Sequence, residues 1–109
     1  DIVGHSLGGT VARWLIEHGD GGRIRRLVTL GAPWYGGRFP ARELALFGED
    51  DWLIPAPAGE HVRGQVRIVP GSGHLSLLYG APVLNDVADY LTAPPRTTWL
   101  SVARDRQAA

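Results

Sequence analysis

The chain contains 109 residues, of which 44% are hydrophobic, and its 11 Lys+Arg residues balance its 11 Asp+Glu residues. This length accommodates one domain and excludes a second module for a large cofactor. The formal net charge is zero and no cluster of arginine stands out along the chain, so the sequence offers no electrostatic argument for binding of nucleic acid or of an anionic membrane. The absence of cysteine excludes disulfide bonds and thiolate metal sites. No stretch approaches the ~18 apolar residues of a transmembrane helix.

Short apolar runs alternate along the chain with segments of helical periodicity, which is typical of a parallel sheet with helical crossovers. The predicted strands are residues 2–3, 27–30, 44–47 and 66–69, and the predicted helices are residues 7–18 and 83–91. We therefore expect an α/β fold over residues 1–92, in which a mostly parallel sheet of about four strands is flanked by helices. Residues 93–109 are polar and rich in arginine, and they are expected to form a weakly ordered tail.

The segment Gly4-His5-Ser6-Leu7-Gly8 fits the pattern GxSxG, with a predicted strand before it and a predicted helix after it. A nucleophilic serine on such a turn has a strained backbone, so small residues are needed two positions before it and two positions after it. Gly9 would let the helix lie close to the sheet. The helix start would also direct the backbone N–H of Leu7 at a developing oxyanion. In the alternative interpretation, Ser6 only caps the helix.

A serine nucleophile needs a base, and the four histidines differ in how well they could serve. His74 is favoured, because it follows the last predicted strand on a Gly-Ser-Gly loop, at the carboxyl edge of the sheet where α/β active sites lie. His5 adjoins Ser6, so its side chain is expected to point away from the site and to pack or hydrogen-bond structurally. His18 suits the dipole at the end of a helix, and His61 lies in a polar loop.

Three adjacent carboxylates, Glu49-Asp50-Asp51, directly follow the third predicted strand. Where a serine is activated on a turn of this kind, the acid lies between serine and histidine in chain order, as it does here. Asp51 is favoured because Gly48 precedes it by three positions and an apolar segment ending in Pro55 follows it, whereas Asp50 stays an alternative. The carboxylate would hold the histidine in one tautomer and stabilise its imidazolium form. A solvated acidic turn is the other interpretation of this segment.

Three of the four tryptophans bear on substrate binding or on the core. Trp34 and Tyr35 follow the turn after the second predicted strand, where they could line a pocket for an apolar acyl chain. Packing beneath the connection to the next strand is an equally good interpretation of this pair. Trp14 and Trp52 are expected in the core. No spacing of His, Asp or Glu indicates a metal site, and no cofactor is expected.

Four segments resemble those of α/β-hydrolases in the same order, and most closely those of small bacterial lipases and esterases: Val3 to Gly9, Leu27 to Pro33, Gly48 to Pro55 and Gly73 to Leu78. The resemblance covers residues 1–92 and corresponds to the C-terminal half of that fold. It implies a triad of Ser6, Asp51 and His74 that hydrolyses lipid or short-chain acyl esters through an acyl-enzyme. Acyl transfer to an alcohol would use the same residues. Similarity to secreted lipases favours export, and a cytoplasmic location stays open.

The chain also departs from this family, in which several strands precede the strand that carries the serine. Those strands supply that strand with a neighbour in the sheet, and they supply the oxyanion donor that acts together with Leu7. We therefore expect the chain to represent part of such a domain, with its first strand at an unpaired apolar edge. Loss of one donor lowers turnover by ~10²–10³. A catalytically inactive fragment or pseudoenzyme is thus the alternative to an active hydrolase.

Overall fold

A computed structural model of the chain describes residues 1–19, 21–33, 43–56 and 65–94. Four strands and two α-helices occur in these ranges: β1 (Ile2–His5), α1 (Leu7–His18), β2 (Leu27–Leu30), β3 (Glu43–Gly48), β4 (Gln65–Val69) and α2 (Ala81–Thr92). Single 3-10 turns lie at Gly21–Arg23 and Ser76–Leu78. Every predicted strand and helix is present. The bounds of α1 and β2 are those predicted, and the ends of the other elements differ from the prediction by at most two residues.

The four strands form one parallel sheet whose order in space, β1-β2-β3-β4, is also their order along the chain. The register runs from Ile2 opposite Leu27 in the first pair to Gly48 opposite Val69 in the last pair. This confirms the predicted α/β fold with a parallel sheet. Because parallel strands share one direction, all four carboxyl ends lie at the same edge of the sheet, and the loops that follow them can meet there.

The two middle strands are buried along their whole length, as strands covered on both faces should be. This explains why the segments of β2 and β3 are nearly continuous apolar runs rather than alternating ones. Among the strands that the structure describes, β1 and β4 form the two edges, and each carries a half-exposed apolar side chain, Val3 and Ile68 respectively.

The two helices cover opposite faces of the sheet. Successive side chains of a strand point to opposite sides, and the two helices contact alternating residues of β2 and β3. On one face Val28, Leu30, Leu44 and Leu46 form the main core with Val83 and Tyr90 of α2. On the other face Thr29 and Glu43 meet Arg13 of α1. The charged pair therefore lies between α1 and the sheet, on the face away from the main apolar core.

Helix α1 approaches the sheet closely through a narrow face of small residues. A Cβ atom added to Gly9 would lie 2.7 Å from the Cβ of Ala32 and 2.9 Å from the Cγ2 of Thr29. This leaves no room for an indole on that side, and the prediction that Trp14 packs in the core is wrong. Trp14 is 56% exposed, and its ring stacks on that of His18 with centroids 4.9 Å apart.

The prediction for Trp52 is also wrong, since this side chain is 90% exposed on the loop after β3. A second, smaller apolar cluster joins Ala45 and Phe47 to Ile54, and Trp52 is not part of it. Trp34, Tyr35, His61 and the predicted tail beyond residue 94 lie outside the described ranges. In the part of the chain that the structure describes, neither helix is long and apolar enough to cross a bilayer.

Candidate active site

Ser6 occupies a strained turn between β1 and α1. Its φ of 55° and ψ of −128° make it the only non-glycine residue with positive φ within the described ranges. Such a conformation persists only where the surroundings enforce it, and it is common at active sites. Here the Ser6 backbone N–H donates to the carbonyl of Leu30 at 2.9 Å. Gly4 is required by space, since an added Cβ would lie 2.7 Å from the backbone nitrogen of Gly9.

The predicted need for a small residue two positions after the serine is not what the structure shows. An added Cβ at Gly8 would meet no atom of the described residues within 4 Å. The tight position is instead Gly9, one residue later, where α1 touches the sheet. The turn and the helix contact therefore depend on Gly4 and Gly9.

The hydroxyl of Ser6 faces the other loops and not its own helix. Ser6 is the N-cap residue of α1, yet its side chain makes no capping hydrogen bond. Its Oγ lies 3.1 Å from Nε2 of His74. The alternative in which Ser6 only caps the helix is thus wrong. Leu7 begins the helix, so its backbone N–H has no intrahelical acceptor and lies directly after the serine.

The structure brings His74 and Asp51 together with Ser6. Nδ1 of His74 lies 2.6 Å from Oδ2 of Asp51. A carboxylate only accepts hydrogen bonds, so this contact requires the proton on Nδ1 and leaves Nε2 free to accept the Ser6 hydroxyl. Asp50, the alternative acid, has an exposed side chain, and its backbone N–H donates to the carbonyl of Ser72.

Asp51 is held rigidly at the end of β3. Its side chain is 0% exposed, while that of His74 is 16% exposed. The second carboxylate oxygen, Oδ1, accepts the backbone N–H groups of Leu53 at 3.0 Å and Ile54 at 2.8 Å. With these donors on one oxygen and the imidazole on the other, the carboxylate can turn only at the expense of several hydrogen bonds.

The loop after β4 reaches back across the ends of the two middle strands, which is how His74 arrives near Ser6 at the far edge of the sheet. It crosses Gly48, where an added Cβ would lie 2.2 Å from the carbonyl oxygen of Ser72. It then crosses Gly31, whose added Cβ would lie 3.0 Å from Nδ1 of His74. Gly31 also has a φ of 59°, a conformation that favours glycine. Both positions therefore need glycine, because a side chain there would collide with the loop that carries His74.

Two serines stabilise that loop from within. Oγ of Ser76 accepts the backbone N–H of Gly73 at 2.8 Å, and it lies 2.9 Å from Oγ of Ser72. Sequence reasoning did not single out these serines or Gly31. The spacing of four between Ser72 and Ser76 around the histidine was the available signal, although it is common in loops of any kind.

The other described histidines occupy two distinct environments. His18 is exposed at the end of α1, as predicted, with Nδ1 3.2 Å from the carbonyl oxygen of Trp14. His5 makes a structural hydrogen bond, also as predicted, but its partner is the backbone carbonyl of His74 at 3.0 Å. The rings of His5 and His74 lie 4.7 Å apart with an interplanar angle of 43°. The expectation that the His5 side chain points away from the site is thus wrong.

A buried ionic network lies between α1 and the sheet, and the sequence patterns did not predict it. Nε of Arg13 donates to both carboxylate oxygens of Glu43, at 2.8 and 2.9 Å, and Nη1 donates to the carbonyl of Pro33 at 2.9 Å. The hydroxyl of Thr29 joins the same carboxylate. The network connects α1 to β2, to β3 and to the residues that follow β2. Its signal in the sequence was a charged residue next to each of two apolar segments.

Within the described residues, no three His, Asp or Glu side chains are grouped so that they could hold a metal ion. Comparisons with known protein families and with curated proteins gave no match.

Proposed function

We propose that the chain is a serine hydrolase of the α/β-hydrolase type, which cleaves carboxylic esters through an acyl-enzyme on Ser6. The observation that carries the proposal is the continuous chain of hydrogen bonds from Asp51 through His74 to Ser6, at 2.6 and 3.1 Å. Nucleophile, base and orienting acid stand in the relation that the chemistry of acyl transfer requires.

The proposed reaction follows from the tautomer of His74 that carries its proton on Nδ1. As Oγ of Ser6 attacks the ester carbonyl carbon, Nε2 of His74 takes the hydroxyl proton, and Asp51 stabilises the imidazolium that results. The tetrahedral intermediate collapses when its bond to the alcohol oxygen breaks, and His74 gives its proton to that oxygen. Water then attacks the acyl-enzyme in the same way, which releases the carboxylic acid and restores Ser6.

The start of α1 supports stabilisation of the negative charge that forms on the carbonyl oxygen. Leu7 is the first residue of the helix, where backbone N–H groups lack intrahelical acceptors and the helix dipole favours an anion. An oxyanion beside Oγ of Ser6 would accept the Leu7 N–H. Donors aimed at such an oxygen lower the barrier because they are already oriented before the reaction begins.

The surroundings of the triad favour an ester with an apolar acyl group. The residue that follows each triad member in sequence is a large apolar one with an exposed side chain: Leu7, Trp52 and Leu75. Water-exposed apolar side chains around a reactive centre gain free energy when an alkyl chain covers them. These three exposed side chains therefore favour lipid or short-chain acyl esters as substrates.

Labelling of the purified protein with a fluorophosphonate probe tests the proposal. The probe should attach covalently to Ser6, because it reacts with serines that a neighbouring base activates. Ser6→Ala should abolish labelling. Ser101→Ala, which changes a serine distant in sequence from all three loops of the site, should leave it intact. If circular dichroism shows the protein folded and Ser6 stays unlabelled, the proposed function is wrong.

A further inference from the structure

His5 occupies an unusual place for the residue before a nucleophile. It ends β1, and its ring contacts the ring of His74 in a tilted arrangement, with centroids 4.7 Å apart and an interplanar angle of 43°. Its Nε2 lies 3.0 Å from the backbone carbonyl oxygen of the same residue. A carbonyl only accepts hydrogen bonds, so this contact requires the neutral His5 ring to carry its proton on Nε2.

We infer that His5 is a positioning residue for the catalytic base, an inference that rests on the proposed function. The hydrogen bond fixes the peptide plane of His74 itself, and with it the direction in which the Cα–Cβ bond leaves the backbone. The ring contact limits how far the His74 imidazole can tilt on the side of β1. Gly31 limits it from the end of β2, where an added Cβ would lie 3.2 Å from Cε1 of His74.

The inference explains why both contacts matter for turnover. In the reaction, Nε2 of His74 must reach first the hydroxyl of Ser6 and then the alcohol oxygen that leaves, while Nδ1 keeps its bond to Asp51. Misplacement of a reacting group by ~1 Å can lower the rate about 100-fold. Because Ser6 and His5 are consecutive residues, the same strand end places the nucleophile and fixes the backbone of its base.

Two substitutions separate the hydrogen bond from the ring contact. His5→Phe keeps an aromatic ring and loses the N–H donor. His5→Gln loses the ring and keeps an N–H donor at the same number of bonds from Cβ as Nε2. We expect His5→Phe to lower kcat by about 10- to 100-fold, with KM changed by less than about twofold. His5→Gln, which keeps the donor to the carbonyl of His74, should lose less turnover than His5→Phe, and the loss that it still shows measures the ring contact.

His18→Phe is the matched control. His18 also lies near a backbone carbonyl, that of Trp14 at 3.2 Å, and it also contacts an aromatic ring, at 4.9 Å. It lies at the exposed end of α1, so its replacement should leave kcat and KM at wild-type values. Equal kcat for His5→Phe and wild type would overturn the inference while the hydrolase proposal stands.

A measurement without turnover decides the inference even if the protein is inert. The Nδ1 proton of His74, which lies in the 2.6 Å contact with Asp51, should give a far-downfield proton NMR signal that His74→Gln removes. We expect His5→Phe to shift or broaden this signal and His18→Phe to leave it unchanged. If the signal is the same in His5→Phe and wild type, His5 does not position the base.

Discussion

At the scale of single residues, the candidate site depends on which of two adjacent aspartates faces the base. Asp51 is fully buried and bonded through both carboxylate oxygens, whereas the side chain of Asp50 is exposed. The two residues have the same chemistry and nearly the same position in the sequence. Their different roles arise from the turn after β3, which directs one side chain inward and the other outward.

Asp51→Asn should lower kcat by ~10⁴, because the asparagine amide can donate to Nδ1 of His74 and so favour the tautomer whose Nε2 carries the proton. Asp50→Asn makes the same change at an exposed position and should leave turnover near wild type. Steady-state hydrolysis of a short-chain aryl ester measures both. Equal losses in the two variants would contradict the assignment of Asp51 as the acid.

At the scale of elements, the contact between α1 and the sheet is set by one glycine and not by its neighbour. Gly9 faces Ala32 and Thr29 at distances that no Cβ can share, whereas the same atom added to Gly8 meets open space within the described part of the protein. The turn that carries Ser6 is therefore fixed at its start by Gly4 and on the side of the sheet by Gly9.

Gly9→Ala should lower the free energy of unfolding by about 1–3 kcal/mol, because the added methyl group forces α1 away from the sheet. Gly8→Ala should leave it unchanged or raise it by up to about 1 kcal/mol, since alanine is the better helix former. Urea denaturation followed by circular dichroism compares the two variants. A loss of stability in Gly8→Ala as large as that in Gly9→Ala would show that the close contact is not the cause.

At the scale of the whole molecule, the Arg13–Glu43 pair joins the layers on the α1 side of the sheet. Glu43 is 0% exposed in its side chain and Arg13 9%, so neither charge is solvated by bulk water. Removal of one partner would leave the other charge buried with fewer hydrogen bonds, which costs far more than the pair contributes as a whole.

Arg13→Met should therefore lower the free energy of unfolding by about 3–5 kcal/mol, and the double variant Arg13→Met/Glu43→Leu should recover much of this loss. Arg25→Met removes the exposed pair with Asp1 and should cost less than about 1 kcal/mol. Chemical denaturation of the wild type and of these three variants measures the four free energies of unfolding. If the double variant were as unstable as Arg13→Met, the cost would come from lost packing and not from an unpaired charge.

Much of the fold followed from patterns that act over a few residues. Short apolar runs located the strands, and the chain order of serine, aspartate and histidine selected the side chains that the structure brings together. Features that depend on the distance between α1 and the sheet could not all be predicted from such patterns. The close contact at Gly9 was predicted, but neither the outward position of Trp14 nor the open space beside Gly8 could be inferred, because both depend on how closely α1 approaches the sheet.

The contact of His5 with His74 was beyond reach for a related reason. The two residues are 69 positions apart, and they meet only because the loop after β4 turns back over two strands. No local pattern in the sequence encodes the direction of that loop. The glycines that make way for it, Gly31 and Gly48, resemble ordinary strand ends until the structure shows what crosses them.

The path of this loop has a consequence for how the site forms during folding. The strands lie side by side in chain order, so the sheet can grow one strand at a time, yet Ser6 and His74 are 68 positions apart and follow its two opposite edges. Contacts between residues so distant in the chain form slowly, since a long loop must close first. The contact between Ser6 and His74 is therefore completed after β4 docks, and on the proposed function the labelling of Ser6 would report a finished sheet, which helix content alone does not.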